Sequence, residues 1–201
     1  MAAQVPGGRI QDSEFLDGVA ITKNVAHKRM MPNRVLKNPR VMVLTLPLEY
    51  HRVEGQYVAL TPVMAQERDY LRGLVQRIAA QRPHIVLASS PVSRLALEGL
   101  LAANIAVARS VKPTALGAIM RSTQAEDISS MDRLALEPKL GRCTTLRLTT
   151  FDHELIPGRR KTLMRFEGCH KEFGCTLVLR GGDLATLRKV KEAADFMVYA
   201  V

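Results

Sequence analysis

Two glycines, Gly181-Gly182, stand between an apolar run at 175–179 (CTLVL) and an amphipathic stretch that opens at Asp183. A strand, a glycine turn and a helix in that order can hold phosphate on backbone N–H groups at the helix N-terminus. The fingerprints of such loops are missing, however. There is no G-x-G-x-x-G, and no Lys followed by Ser or Thr after the glycines. Asp183 would also put a carboxylate where the phosphate belongs, so the segment reads as a tight strand-to-helix turn capped by Asp183. Cys169, His170 and Cys175 follow a C-H-x4-C spacing, with Cys143 the remaining thiol. A structural zinc site wants four ligands, usually in paired units, and His153 would have to be recruited to complete it. Cys175, at the start of a buried strand, reads instead as a small apolar residue. Cys169 and His170 are chain neighbours whose side chains point apart in extended backbone, a poor arrangement for a nucleophile and its base. Glu126-Asp127 and Asp152/Glu154 are the candidate carboxylate pairs, in loop or strand-edge positions with nothing beside them to suggest glycoside chemistry. His27, His51, His84 and His153 share no spacing. The reading is of no catalytic residue and no metal site.

Bulk properties point the same way. At 201 residues, 47% hydrophobic and 24% charged, the chain is large enough and apolar enough for a folded core. Aromatic content of 4% and no Trp make that core aliphatic. Three cysteines without a disulfide-framework spacing suit a reducing compartment. Residues 1–8 lack the basic-then-apolar layout of a signal peptide. No apolar run approaches the ~20 residues that span a bilayer, so a soluble fragment is expected. The net charge of +10 permits attraction to nucleic acid, anionic lipid or an acidic partner. The basic residues are scattered, apart from the run Arg159-Arg160-Lys161, which reads as a solvated loop.

The elements that must position these residues follow from periodicity. Residues 1–12 show none and are expected to be a flexible lead, with the domain over 13–201. Short or apolar runs at 19–22, 41–46, 84–88, 105–108 and 127–129 read as strands, and the basic stretch 27–34, broken by Pro32, as a loop. The clearest helix is 62–81, with Thr61 as N-cap, Pro62 at the first position, and Leu71, Leu74, Val75, Ile78 and Ala79 on one stripe. Further helices are expected at 91–103 (Ser90 cap; Leu97, Leu100 and Leu101 inward) and 113–122. Strands alternating with helices imply parallel pairing in a buried sheet. Residues 144–150 (TTLRLTT) then alternate, and with 163–167 they form an antiparallel hairpin with a basic tip near Pro157-Gly158. A last strand at 175–180 and a helix over 183–199 complete an α/β domain with a mixed, largely parallel sheet flanked by helices.

Several longer segments carry a resemblance. KNPRVMVLTLPLEY at 37–50 and the L-R-G turn at 179–181 stand in the order found in the apical domain of group II (CCT/thermosome) chaperonins. ITKNVAHKRM at 21–30, PLEYHRVEGQ at 47–56, the GC…GCTLVLRG pair at 168–181 and EAADFMVYA at 192–200 more closely resemble the chaperonin-like domain of PIKfyve-type phosphatidylinositol-3-phosphate 5-kinases. The resemblance covers about 13–201 and implies a three-layer, group II apical-domain-like fold. It departs from the chaperonins at 49–62, which is too short for their helical lid. It also departs in lacking a G-D-G-T-T type nucleotide loop and the equatorial halves, which puts client folding in doubt.

The 5-kinase resemblance implies a non-catalytic docking domain inside a lipid kinase whose ATP and magnesium are used elsewhere in the parent chain. No glycine-rich loop, paired strand Lys or metal-binding Asp signature occurs here. It further implies a scaffold protein and a phosphoinositide phosphatase as partners. The setting would be the cytosolic face of endosomes or the vacuole, with membrane contact mainly through other parts of the parent. By analogy with the chaperonin client face, the docking candidates are Glu49, Tyr50, His51, Arg52, Tyr57, Glu67, Arg68 and Arg72. Arg159, Arg160 and Lys161 are a second candidate, for an acidic partner or anionic lipid. Two rival readings remain: a chaperone-like binder of unfolded polypeptides, and a basic module for membrane or nucleic acid. Nucleic acid is not expected, because the Tyr and Phe residues do not cluster with Arg and Lys.

Overall fold

The computed structural model describes residues 2–49, 60–152, 158, 160–169 and 174–199, with the backbone alone for 60–65 and 199. Along the chain run β1 (Ala2–Gln4), β2 (Glu14–Leu16), β3 (Gly18–Ile21), β4 (Val35–Lys37), β5 (Arg40–Leu44), α1 (Leu60–Ala80), β6 (Ile85–Ala88) and α2 (Arg94–Ala102). They continue through β7 (Ala106–Ala108), α3 (Pro113–Thr123), β8 (Asp127–Ile128), α4 (Met131–Ala135), β9 (Gly141–Arg142), β10 (Thr145–Asp152), β11 (Arg160–Glu167), β12 (Thr176–Leu179) and α5 (Leu184–Tyr199). Single 3-10 turns lie at Ile10–Asp12 and Lys28–Met30.

The chain divides into two compact units, where the sequence suggests one domain over 13–201. One unit holds Met1–Asn24, Arg34–Asn38 and Cys143–Val201; the other holds Val25–Asn33 and Pro39–Arg142. The second unit keeps the expected strand–helix alternation. β5, β6, β7 and β8 pair in parallel in the order β7-β6-β5-β8, and β9 joins β5 antiparallel. Every residue of β6 and 41–44 of β5 is fully buried, which explains their unbroken apolar sequence. α2 packs on β7, α3 on β5 and β9, α4 on β8, and α1 against α2 and α4.

α1 buries the predicted stripe at Leu71, Leu74 and Ile78, with Val75 and Ala79 half-buried. It starts at Leu60, so Thr61 and Pro62 fall inside its first turn, where Pro is tolerated because that N–H has no helical partner. α2 is capped by Ser93, whose hydroxyl accepts from the N–H of Ala96 at 3.2 Å, and not by Ser90. The reason is a parallel bridge between Leu48 and Val92, which keeps the backbone extended past 90. Ala96 and Leu100 are the buried positions of this helix, with Leu97 and Leu101 half-buried.

The other unit builds two sheets of its own. β3-β11-β10-β4 is antiparallel throughout. In the smaller sheet β12 pairs parallel with β1 and antiparallel with β2. The lead expected over 1–12 is therefore structured: Ala2, Ala3 and Gln4 pair with Leu177, Val178 and Leu179. Val5 buries against Leu163 and Val178, with Ala3 and Phe151 around them. A strand of three residues is too short to show periodicity, which is why composition alone gave no sign of it. The amide of Gln4 donates to the carbonyl of Leu187 at 3.3 Å, tying α5 to β1.

Thr176 links the two sheets of this unit. It is fully buried; its hydroxyl donates to the Gly18 carbonyl at 2.8 Å and accepts from the Ala20 N–H at 3.2 Å. β3 is an edge strand, so one hydroxyl satisfies two of its outward-facing backbone groups.

Candidate docking surface

The chemistry-bearing residues of the sequence are mostly spoken for. Gly181 and Gly182 take φ values of +88° and +114°. A Cβ on Gly181 would lie 2.6 Å from the backbone nitrogen of Ile10, so glycine is required by close chain approach. Asp183 accepts from the Thr186 N–H at 2.9 Å and caps α5. Hydrogen bonds from the Thr186 hydroxyl and N–H hold its carboxyl below the usual carboxylate range. The turn is a helix start already filled by its own carboxylate.

Asp127 accepts from the Thr45 hydroxyl at 2.8 Å, and Glu126 from the Lys139 N–H at 3.2 Å. With Arg133 they edge a shallow hollow of about 350 Å³. Asp152 pairs with Arg160 at 2.8 Å, while Glu154, His153 and Pro157 lie outside the described residues. His27 accepts from the Arg29 N–H at 3.2 Å, and His84 Nδ1 accepts from the Arg40 N–H at 3.0 Å. Partial burial, then the Arg40 charge, lower the pKa of His84 below 6.5. None of the three cysteines is in a disulfide: Cys143 and Cys169 are buried near one another, while Cys175 is half-buried and precedes β12 without belonging to it. His170 lies outside the described residues. Among the described residues no group of three or more His, Cys, Asp or Glu could hold a metal ion.

Of the docking candidates, Tyr50, His51, Arg52 and Tyr57 lie outside the described residues, as does Arg159. Glu49 is half-buried at the end of a segment tied to the start of α2, where the Ser93 N–H donates to the Leu48 carbonyl at 3.1 Å. Arg68 and Arg72 are exposed one turn apart on α1, and Glu67 is half-buried. The second candidate is less available than its sequence suggests. Arg160 is engaged across the hairpin by Asp152, its partner in register, and Lys161 Nζ donates to the Gln4 carbonyl.

Arg68 and Arg72 line a groove between α1 and α2, of about 340 Å³, whose apolar part is Leu71, Val75 and Leu95. On α1 the lining positions, Gln76 included, fall at i, i+3, i+4, i+7 and i+8; on α2, Leu95 and Gly99 stand at i and i+4, so each helix offers one face. Gly99 lets the helices close: a Cβ there would sit 3.1 Å from Cγ1 of Val75. Leu95 is 40% exposed on the rim. Among the described residues neither Arg68 nor Arg72 is in an ion pair. Sequence reasoning found the two arginines and missed Leu95, Val75 and Gly99. The available signal was Leu95 itself, a leucine off the inward stripe of α2.

This α/β architecture is that of a chaperonin apical-type domain. The TCP-1/cpn60 chaperonin family model matches residues 2–200, and the chain belongs to that family. It superposes on the open-state monomer of a group II chaperonin from Methanococcoides burtonii with a TM-score of 0.78, at 20% identity, covering 98% of this chain and 42% of that one. In sequence it is 41% identical over 97% of its length to the mouse 1-phosphatidylinositol 3-phosphate 5-kinase, and 31% identical over 94% to the T-complex protein 1 subunit gamma of Thalassiosira weissflogii. It spans 9% of the kinase and 33% of the T-complex subunit. No helix among the described residues is long and apolar enough to cross a membrane.

Proposed function

We propose that the chain is a protein-docking module of a phosphatidylinositol 3-phosphate 5-kinase, and that it docks through the groove between α1 and α2. The observation that carries this reading is the groove itself: an apolar floor, a half-exposed leucine and two exposed arginines on neighbouring helices. A short amphipathic segment can lay its apolar side chains on such a floor and its carboxylates on the arginines. The likeness to the kinase chains supports the choice of parent. In this reading the module is non-catalytic, and phosphoryl transfer, with its ATP and magnesium, belongs to polypeptide beyond these residues. Its partners are a scaffold protein and a phosphoinositide phosphatase that act with the kinase in making the 3,5-bisphosphate. It works on the cytosolic face of endosomal or vacuolar membranes, brought there by other parts of the protein.

The test is capture of the scaffold and phosphatase by the immobilised chain, repeated with Leu95→Asp and with Arg68→Glu/Arg72→Glu. Capture is expected to fall about tenfold or more with either change, as for a residue central to an interface. Unchanged capture by both variants would refute the groove as the docking face. A second reading is favoured by the same exposed leucine and by the family: a chaperone-like binder of unfolded polypeptides. It requires that the chain suppress aggregation of a denatured protein and lose that ability with Leu95→Asp; absence of suppression removes it.

A further inference from the structure

Cys143 and Cys169 have no part in the docking reading, yet the fold brings them together. Both lie in the unit that carries the β10–β11 hairpin. Cys143 stands two residues before β10, where the chain re-enters that unit, and Cys169 two residues after β11. The ladder pairs Thr145 with Glu167, and carrying that register outward sets 143 opposite 169. The strand ends stay joined beyond the last rung: the Thr144 N–H is shared between the carbonyls of Glu167 at 3.1 Å and Gly168 at 3.4 Å. The Thr144 hydroxyl also donates to the Gly168 carbonyl at 3.1 Å. Gly168, at φ +65°, allows this closeness, since a Cβ there would lie 2.4 Å from Thr144 Oγ1.

The outcome is two buried, unlinked thiols on facing strand ends, close enough for each to shift the other's titration, with Cys143 Sγ donating to the Thr145 carbonyl at 3.8 Å and Cys169 Sγ to the Phe166 carbonyl at 3.6 Å. Directly opposed residues of antiparallel strands have Cα atoms about 4.5–5.5 Å apart, within the ~4.4–6.8 Å that a disulfide spans. The two thiols are also unlike. The hydrogen bond from Cys143 favours the thiolate of Cys169 and lowers its pKa, against the opposing effect of burial. The same bond, followed by burial and the neighbouring charges of Cys169 and Glu167, pushes Cys143 upward. Cys169 is therefore the thiol of the pair that ionises first, and Cys143 the one that keeps its proton.

We propose that Cys143 and Cys169 form an oxidation site, a dithiol that a hydroperoxide converts to an intramolecular disulfide and a thiol reductant restores. The Cys169 thiolate attacks the distal peroxide oxygen; an S–O bond forms, the O–O bond breaks, and the leaving hydroxide takes a proton to become water. Cys143 sulfur then attacks the sulfenic sulfur of Cys169, the S–S bond forms, and the S–O oxygen departs as a second water with the Cys143 proton. Two thiols lose two electrons and two protons, and one hydrogen peroxide becomes two waters. The bond would tie the point of re-entry to the end of β11, adding a covalent link to the hydrogen bonds that Thr144 makes there.

The experiment treats the 201-residue chain with hydrogen peroxide, blocks remaining thiols, and maps crosslinked peptides without reduction. The expected result is a Cys143–Cys169 peptide pair, formed within one molecule, reversed by dithiothreitol and retained in Cys175→Ser. In Cys143→Ser, the sulfenic acid should instead persist on Cys169 and be trapped by dimedone. Should that variant fail to fold, the map of wild type and Cys175→Ser still decides. Oxidised wild type should melt about 5 °C or more above the reduced protein. A crosslink through Cys175, a link between molecules, or oxidation that leaves Cys143 and Cys169 unpaired would overturn the proposal.

Discussion

Replacing Thr176 by Val keeps the shape of the side chain and removes one oxygen. That oxygen is bonded on both sides: it donates to the Gly18 carbonyl at 2.8 Å and accepts from the Ala20 N–H at 3.2 Å, with Thr176 fully buried. The variant leaves one donor and one acceptor of β3 without partners in an apolar setting. Each of the two buried unsatisfied groups costs about 1–3 kcal/mol, and the added methyl offsets about 1 kcal/mol, so the net loss is about 1–5 kcal/mol. For a chain of this size that is a fall in melting temperature of about 2–20 °C. Thr176→Ser keeps both hydrogen bonds and loses one methyl, at about 1 kcal/mol, or ~2–4 °C. Thermal and urea unfolding of the three proteins, read by circular dichroism, checks the order wild type, Ser, Val. If Val is as stable as Ser, the hydroxyl does not hold the two sheets together and the reasoning fails.

Three other outcomes follow from the geometry. Gly18→Ala should destabilise the same unit and lower the melting temperature, because its backbone sits at φ +137° and a Cβ would meet the Phe166 carbonyl oxygen at 2.0 Å; urea unfolding reads it. His84 accepts a hydrogen bond on Nδ1 and has a pKa lowered by burial and then by Arg40. The unfolded chain therefore binds its proton first, so the contribution is present above about pH 6.5 and is lost as pH falls through the folded value. An NMR titration should place His84 below 6.5, and melting curves of His84→Gln should be flatter with pH than wild type across that window. Asp183→Ala should loosen the first turn of α5 and speed amide exchange at Thr186, whereas Asp183→Asn should retain most of the cap.

The parts of the fold legible in the sequence were those long enough to repeat. Seven or more turns of stripe are not needed; Leu71, Leu74 and Ile78 suffice to mark α1, and the apolar runs of β5 and β6 bracket it. β1, β2, β4 and β9 have two or three residues each, less than a repeat of any pattern, and they exist because other strands offer an edge to pair with. The cap of α2 shows a different limit. Ser90 and Ser93 both precede the same apolar stretch, and the choice is made by the Leu48–Val92 bridge, a contact between distant residues. The basic run was legible as charge but not as occupied charge: Arg160 faces Asp152 only once the hairpin register is known. The groove was half-legible for the same reason, since arginines announce themselves while Gly99 matters only against Val75.

The docking proposal has two physical components, and salt separates them. Fully burying a leucine is worth about 1.5–3 kcal/mol; with 40% of Leu95 left to cover, a partner gains about 0.6–1.2 kcal/mol there. Leu95→Ala should therefore weaken binding about three- to eightfold, at any ionic strength. Arg68 and Arg72 are exposed, so each pairs with a partner carboxylate for at most about 1 kcal/mol. That attraction is screened as the Debye length shrinks from about 10 Å at 0.1 M salt to ~3 Å at 1 M. Arg68→Glu/Arg72→Glu should cost most at low salt and little at high salt. Titrations of both variants across that range, by calorimetry or interferometry, give two curves of different slope. Parallel curves, or a Leu95 effect that vanishes in salt, would mean that binding is electrostatic alone and that the apolar floor between α1 and α2 is not covered by the partner.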